Sequence, residues 1–148
     1  MDHYLQLCTF RVGELLLGID VLNVQEVLRE QSITRVPHAH PSISGLINLR
    51  GKITTAIDLG SRLDAQTTGS AAIHVVVRTG GSVASVIVDS IGEVIEVDPS
   101  TYEAPPETMT GPARELILGA YKLETELLLV PDVERVVAMP SAAVEVVA

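Results

Sequence analysis

Short aliphatic runs, separated by breaks that contain glycine, proline or aspartate, constrain the fold of this chain more than any other sequence feature. The runs are rich in Val, Ile and Leu, and β-branched side chains favour the pleated surface of a sheet. We expect strands at residues 4–12, 15–19, 24–29, 33–36, 46–49, 53–57, 71–79, 82–88, 92–97, 116–123 and 127–130. Many short strands joined by glycine and proline turns predict an all-β protein, either a small barrel or a sandwich.

The breaks between the runs predict turns and a few short helices. Gly80-Gly81 separates two aliphatic runs by two residues, which is a strong hairpin signal. Asp58 is positioned to cap a helix, and Pro131 can open one. Helical segments are therefore expected at residues 21–23, 41–44, 59–63 and 132–138. The stretch 98–114 has prolines without an apolar period, so a long loop is expected there.

The central hairpin carries the most informative turn of the chain. Aliphatic runs at residues 46–49 and 53–57 are joined through Gly51, which can take the positive φ of a tight reversal. Because side chains alternate along a strand, Asn48 and Arg50 are expected on one face and their aliphatic neighbours on the other. An exposed arginine is also the ordinary outcome at a turn, so these residues alone do not establish a binding site.

Composition excludes several classes of function. The formal net charge is −9 and the ten basic residues are scattered, so nucleic acid is not an expected partner. No apolar run has the length of a membrane span, and no signal peptide is apparent, so direct membrane insertion is not expected. The single cysteine, Cys8, excludes an internal disulfide and fits a reducing compartment, which predicts a cytoplasmic protein.

No set of residues assembles into a recognisable active site. The segment from Gly45 to Gly51 resembles a phosphate-binding loop but has one residue too many between its glycines. His38 and His40 lack a nearby Cys or carboxylate at ligand spacing, so a metal site is not expected. Asp58 is expected to cap a helix rather than to act as a general acid or base. The sequence predicts a binding module, with no enzymatic activity, metal or cofactor.

An ordered series of motifs is more specific than any one of them. The series runs Gly18-Ile19-Asp20, Val24-Gln25-Glu26-Val27, Ile33-Thr34-Arg35-Val36-Pro37, Gly45-Leu46-Ile47-Asn48-Leu49-Arg50-Gly51, Ile57-Asp58-Leu59, Val86-Ile87-Val88-Asp89 and Pro131-Asp132-Val133. In order and in spacing it resembles the CheW family, the adaptor proteins of bacterial chemotaxis. The resemblance covers nearly the whole chain.

The resemblance implies a fold, a function and partners. It implies two intertwined five-stranded SH3-like β-barrels in a single domain over residues 1–138, followed by a tail at residues 139–148. Family adaptors couple the cytoplasmic tip of methyl-accepting chemoreceptors to the regulatory domain of a CheA-type histidine kinase. It therefore also implies recruitment to receptor arrays at the inner face of the membrane.

Receptor-contact positions are implied only where this sequence matches the family's motifs. They are Val24, Glu26, Gly45, Asn48, Arg50 and Val94. Val24 and Val94 would offer apolar surface to a receptor helix, although both would otherwise be interpreted as ordinary core residues. Arg50 would bind a carboxylate or amide of the receptor, and Glu26 would pair with a receptor cation or orient Arg50. At Gly45 a side chain would obstruct close approach.

One departure from the family and two alternatives limit this interpretation. The family commonly has a proline in the strand after Arg50-Gly51, where this chain has Thr54-Thr55-Ala56, so no kinase-contact residue is assigned. An isolated regulatory domain of the kinase would have a similar sequence, although a chain that starts at Met just before the first strand favours the adaptor. A small-ligand-binding β protein is the other alternative, although it would normally have more aromatic pocket residues.

Overall fold

The computed structural model describes residues 4–65 and 73–138, and the expected tail at residues 139–148 lies outside the described residues. The strands are β1 (Leu5–Val12), β2 (Leu15–Asp20), β3 (Val24–Leu28), β4 (Ile43–Leu49), β5 (Lys52–Asp58), β6 (Ile73–Thr79), β7 (Ser82–Val88), β8 (Ser90–Val97), β9 (Ile117–Lys122) and β10 (Leu127–Pro131). The helices are α1 (Leu59–Leu63), α2 (Pro112–Leu116) and α3 (Val133–Val137), with 3-10 turns at Val21–Asn23 and Pro99–Thr101.

The strands form two five-stranded sheets. The first sheet has the order β8-β1-β2-β10-β9 and the second has the order β3-β6-β7-β5-β4. Neighbouring strands are antiparallel except for β2 with β10 and β5 with β7, which are parallel. The five strands of the second sheet are consecutive in the chain and are inserted between β2 and β8 of the first. The predicted all-β chain with a few short helices is confirmed, as are two five-stranded units, of which the second is inserted into the sequence of the first.

Both sheets contribute to one main hydrophobic core. Phe10, the only phenylalanine, and Leu17 are fully buried on the first sheet, and Val75 and Val86 are buried on the second. Leu59 of α1 belongs to the same cluster. Burial of an aliphatic side chain of this size contributes about 1.5–3 kcal/mol, so the packing between the sheets is the main source of stability.

Aspartate side chains cap three of the short helical segments that follow a strand: the 3-10 turn at Val21–Asn23, α1 and α3. Asp20 accepts the Leu22 N–H at 2.9 Å, Asp58 accepts the Ser61 N–H at 3.3 Å and Asp132 accepts the Arg135 N–H at 3.2 Å. An N-cap satisfies a backbone donor that the helix itself leaves without a partner. These caps place each helix directly after its strand, which confirms the predicted cap at Asp58.

Several local predictions differ from the structure. Residues 98–114 are not one loop, because they contain a 3-10 turn, the first residues of α2 and Glu103, which forms a bridge to Ala120. The expected strand at residues 33–36 is a single bridge from Thr34 to Leu46. Residues 41–44 contain the start of β4 rather than a helical turn. Pro131 ends β10, and α3 begins only after the cap at Asp132.

Among the histidines that the structure describes, His74 on the second sheet is the only one that is completely buried. Its Nδ1 lies 2.8 Å from the Ser85 Oγ, and its Nε2 has no hydrogen-bond partner among the described residues. Burial lowers the pKa of His74, because the imidazolium would lose its hydration there. The side chain is therefore neutral in the folded protein at neutral pH.

This burial predicts a loss of stability in mild acid. The pKa of His74 is lower in the folded than in the unfolded state, so the unfolded chain binds the proton first and stability falls as pH drops below about 6.5. At pH 5.5 the loss from this group is at most about 1.4 kcal/mol, the limit for an imidazole that is protonated only in the unfolded state. Urea unfolding of wild type and His74→Gln at pH 7.5 and pH 5.5 measures it. An equal pH dependence in the two proteins would contradict the assignment.

Candidate functional site

The β4–β5 turn places a charged side chain in a backbone conformation that usually favours glycine or asparagine. Leu49 pairs with Lys52, so the turn consists of Arg50 and Gly51. Their φ angles are +52° and +84°, the signs of a type I′ turn. Asn48 stabilises the turn by accepting the Gly51 N–H at its Oδ1, at 2.8 Å. A left-handed conformation costs a non-glycine residue about 1–2 kcal/mol.

The turn changes the geometry expected for Arg50. Strand alternation predicts one shared face for Asn48 and Arg50, but Arg50 lies beyond the end of β4, where alternation no longer applies. Both side chains are exposed, as expected. Asn48 supports the turn by its hydrogen bond, and Arg50 is directed toward β3 instead of following the strand.

Arg50 and Glu26 form a two-pronged ion pair that joins the turn to β3. The Arg50 Nη1 donates to the Glu26 Oε2 at 2.7 Å, and the Nη2 donates to the Oε1 at 3.0 Å. The Arg50 side chain is 75% exposed and that of Glu26 is 16% exposed. This arrangement fixes the guanidinium plane while most of its surface faces solvent. Of its five N–H donors, Glu26 takes two, and three are available to a partner.

The surroundings of Arg50 are basic in an otherwise acidic protein. Arg50, Lys52 and Arg78 line one open cavity of about 570 Å³, to which Gln25 and Ile53 also contribute. The Arg78 Nη2 donates to the Gln25 Oε1 at 2.6 Å. With a net charge of −9 over the whole chain, three of ten basic residues around one cavity make a local positive patch. Such a patch favours an acidic or amide-bearing partner.

Gly45 is buried against the chain itself. Its φ is +148°, and a Cβ at this position would collide with the Thr34 carbonyl oxygen and lie 2.6 Å from the Ile33 Cγ2. The Thr34 N–H donates to the Leu46 carbonyl at 2.8 Å, and the Leu46 N–H donates back at 2.7 Å. The close approach that requires glycine here is therefore the approach of residues 33–34 to the free edge of β4.

The two valines expected at the site differ in exposure. Val24 is partly buried and packs against the main core, so its predicted contact surface is reduced. Val94 is 55% exposed on β8, an edge strand of the first sheet, and is not a core residue. Val27 and Ile53, which are 43% and 70% exposed, are apolar surface residues that the motifs did not identify. When both faces of a strand carry aliphatic residues, the sequence does not show which of them are exposed to solvent.

The remaining candidate ligands are involved in local structure. The His40 Nδ1 lies 3.1 Å from the Ser42 N–H, which donates to it, and 2.7 Å from the Ser42 Oγ. Burial and the nearby Asp20 carboxylate raise the pKa of Cys8, which keeps it a thiol. Within residues 4–65 and 73–138, no three His, Cys, Asp or Glu side chains are grouped as metal ligands. No described helix is long and apolar enough to cross a membrane.

Comparison with known proteins gives one consistent result. The model of the CheW-like domain family matches residues 6–141. The chain belongs to this family. The chemotaxis protein CheW of Treponema pallidum is 33% identical over 140 residues, covering 90% of this chain and 82% of that one. The chemotaxis protein CheW of Bacillus subtilis is 32% identical over 140 residues, covering 93% and 89%. The crystal structure of the scaffolding protein CheW from Thermoanaerobacter tengcongensis superposes with a TM-score of 0.79 at 32% identity, covering 88% of this chain and 89% of that chain.

Gly45 provides a test of the local geometry of this site. Gly45→Ala is expected to lower the free energy of unfolding by about 3 kcal/mol, because both its φ and the contact with residues 33–34 oppose a Cβ. Gly51→Ala is the matched control, since nothing lies within 4 Å of its Cβ position, and should cost only about 1 kcal/mol. Urea unfolding measures both values. Equal losses in the two variants would show that residues 33–34 do not pack against β4 in this way.

Proposed function

We propose that this chain is a non-enzymatic adaptor that couples the cytoplasmic tip of a chemoreceptor to the regulatory domain of a CheA-type histidine kinase. Membership of the CheW-like family supports the proposal, as do the relatives that are chemotaxis proteins and the neighbour that is a scaffolding protein. The adaptor would act in the cytoplasm, at receptor arrays on the inner face of the membrane.

The observation that carries the proposal is the conformation of Arg50. For stability alone, Asn or Gly would suit the left-handed turn position better than Arg. Residues held in strained conformations cluster at binding sites, where the surrounding structure compensates for the strain. Here the Glu26 carboxylate fixes the guanidinium, and its remaining donors face solvent. Arg50 is thus oriented in advance for a partner carboxylate or amide, which lowers the entropy lost on binding.

In this proposal the other motif residues have distinct tasks. Glu26 orients the Arg50 side chain, and Asn48 stabilises the turn that contains Arg50. Gly45 allows residues 33–34 to cover the edge of β4. Val94 offers exposed apolar surface to the receptor helix, with a smaller contribution from Val24.

The proposal predicts that Arg50→Glu abolishes receptor binding. The substitution removes the guanidinium and places a carboxylate beside Glu26, so a loss of unfolding free energy of up to about 1 kcal/mol is expected, without loss of the fold. Co-sedimentation with receptor-tip assemblies, with and without the kinase, measures binding, and circular dichroism checks the fold. Binding of the folded variant at the wild-type level would contradict the proposal.

A double variant with exchanged charges distinguishes a direct contact between Arg50 and the receptor from a purely structural role of the ion pair with Glu26. Glu26→Arg combined with Arg50→Glu exchanges the two charges and permits an ion pair of reversed direction between β3 and the turn. If Arg50 contacts the receptor, stability is recovered while binding stays lost. If the pair serves only to hold the turn, both are recovered. The second result would move the receptor contact to another surface.

The two alternative functions have weaker support. The first alternative is a regulatory domain of the kinase, which shares the motifs. An adaptor binds that domain as a separate chain, so binding of this chain to the isolated kinase domain would distinguish an adaptor from a kinase domain. A small-ligand-binding protein would bind its ligand without any receptor. The basic patch around Arg50 favours a partner with acidic or amide groups over an apolar ligand.

A further inference from the structure

A second surface, remote in sequence from the Arg50 turn, has the composition of a docking site. It is a groove of about 580 Å³ between the first sheet, the β6–β7 turn and the start of α3. We call it the tyrosine groove. Residues that characterise it are Leu5, Leu7, Tyr102, Leu118, Tyr121 and Glu134.

The tyrosine groove has a buried apolar floor and an exposed apolar wall. Leu7 and Tyr121 in the floor are 2% and 4% exposed. Leu5, Tyr102 and Leu118 in the wall are 36%, 43% and 53% exposed. An exposed apolar patch continuous with a buried floor marks an interaction surface more often than single exposed aliphatic residues do.

The wall is fixed by backbone contacts. Glu103 and Ala120 exchange two backbone hydrogen bonds of 2.9 Å, which hold the segment with Tyr102 against β9. A Cβ at Gly119 would collide with the Tyr102 ring, so this glycine lets the ring lie directly on the strand. The rings of Tyr102 and Tyr121 have centroids 5.3 Å apart and are tilted by 60°. The groove is therefore formed before any partner binds.

The charge of the tyrosine groove is negative. Asp20, Asp132 and Glu134 line it, and no Lys, Arg or His does so among the described residues. Asp132 lies 3.6 Å from Arg135, whereas the Glu134 carboxylate has no ion pair within the described parts of the chain. A second copy of this chain carries a net charge of −9 and so is a poor occupant.

We propose that the tyrosine groove binds a cationic amphipathic segment of another protein, with an apolar side chain between Tyr102 and Leu118 and a Lys or Arg beside Glu134. This inference goes beyond the adaptor function, because the groove shares no residue with the Arg50 turn, Val24 or Val94. It gives the chain an additional docking surface for a basic partner, whereas the Arg50 patch favours an acidic one.

A synthetic peptide tests the proposal directly. The probe is an amphipathic Leu/Lys helix of about 14 residues, or four turns. Its controls are a Leu/Glu helix of equal length and a Leu/Lys peptide of equal composition without an apolar face. Amide chemical shifts of the isotope-labelled full chain report the position of binding. The proposal predicts shifts centred on Tyr102, Leu118 and Glu134 with the amphipathic Leu/Lys peptide, and none with the other two.

Variants with matched controls separate groove binding from general attraction to an acidic protein. Leu118→Ser should weaken binding about tenfold and Glu134→Lys several-fold. Leu22→Ser and Glu30→Lys change the same residue types at exposed positions outside the groove and should leave binding unchanged. Shifts spread over the acidic surface, or equal losses in the control variants, would overturn the proposal. Self-association of the chain that Leu118→Ser abolishes would also overturn it, in favour of a second copy.

Discussion

Aliphatic packing between the two sheets is the constraint on which the rest of the structure depends. With one phenylalanine and no tryptophan, the chain fills its main core with Val, Leu and Ile from both sheets. Because β3 to β7 are inserted between β2 and β8, the first sheet is completed only by strands that follow the second sheet in the chain. The shared core therefore fixes the positions of the edge strands and of the turns at their ends, where the candidate contact residues lie.

At those turns the backbone adopts conformations that lower local stability and that position particular groups. Arg50 occupies a left-handed conformation, and Glu26 on another strand holds its guanidinium. Gly45 and Gly119 do the opposite, because each removes a side chain so that another segment can approach a strand closely. In both cases the requirement is set by a contact distant in sequence rather than by the local run of residues.

The distinction between local requirements and contacts distant in sequence explains which features could be predicted from the sequence and which could not. Gly80-Gly81 and the Asp58 cap depend on their immediate neighbours, and both were predicted correctly. The covering of β9 by Glu103 depends on Gly119, which is sixteen positions away, so residues 98–114 were wrongly expected to be one loop. Similarly, strand alternation failed at Arg50 because the turn begins there. Its pairing with Glu26 followed only from the family resemblance, as one of two alternatives.

The central claim is that Arg50, fixed in advance by Glu26, forms the receptor contact. Amide hydrogen exchange of the wild-type chain, alone and bound to receptor-tip assemblies, tests it most directly, because it locates the contact without altering any residue. The account predicts added protection in the β4–β5 turn and β3, with exchange in the tyrosine groove unchanged. Protection confined to the tyrosine groove, with none near Arg50, would contradict the account.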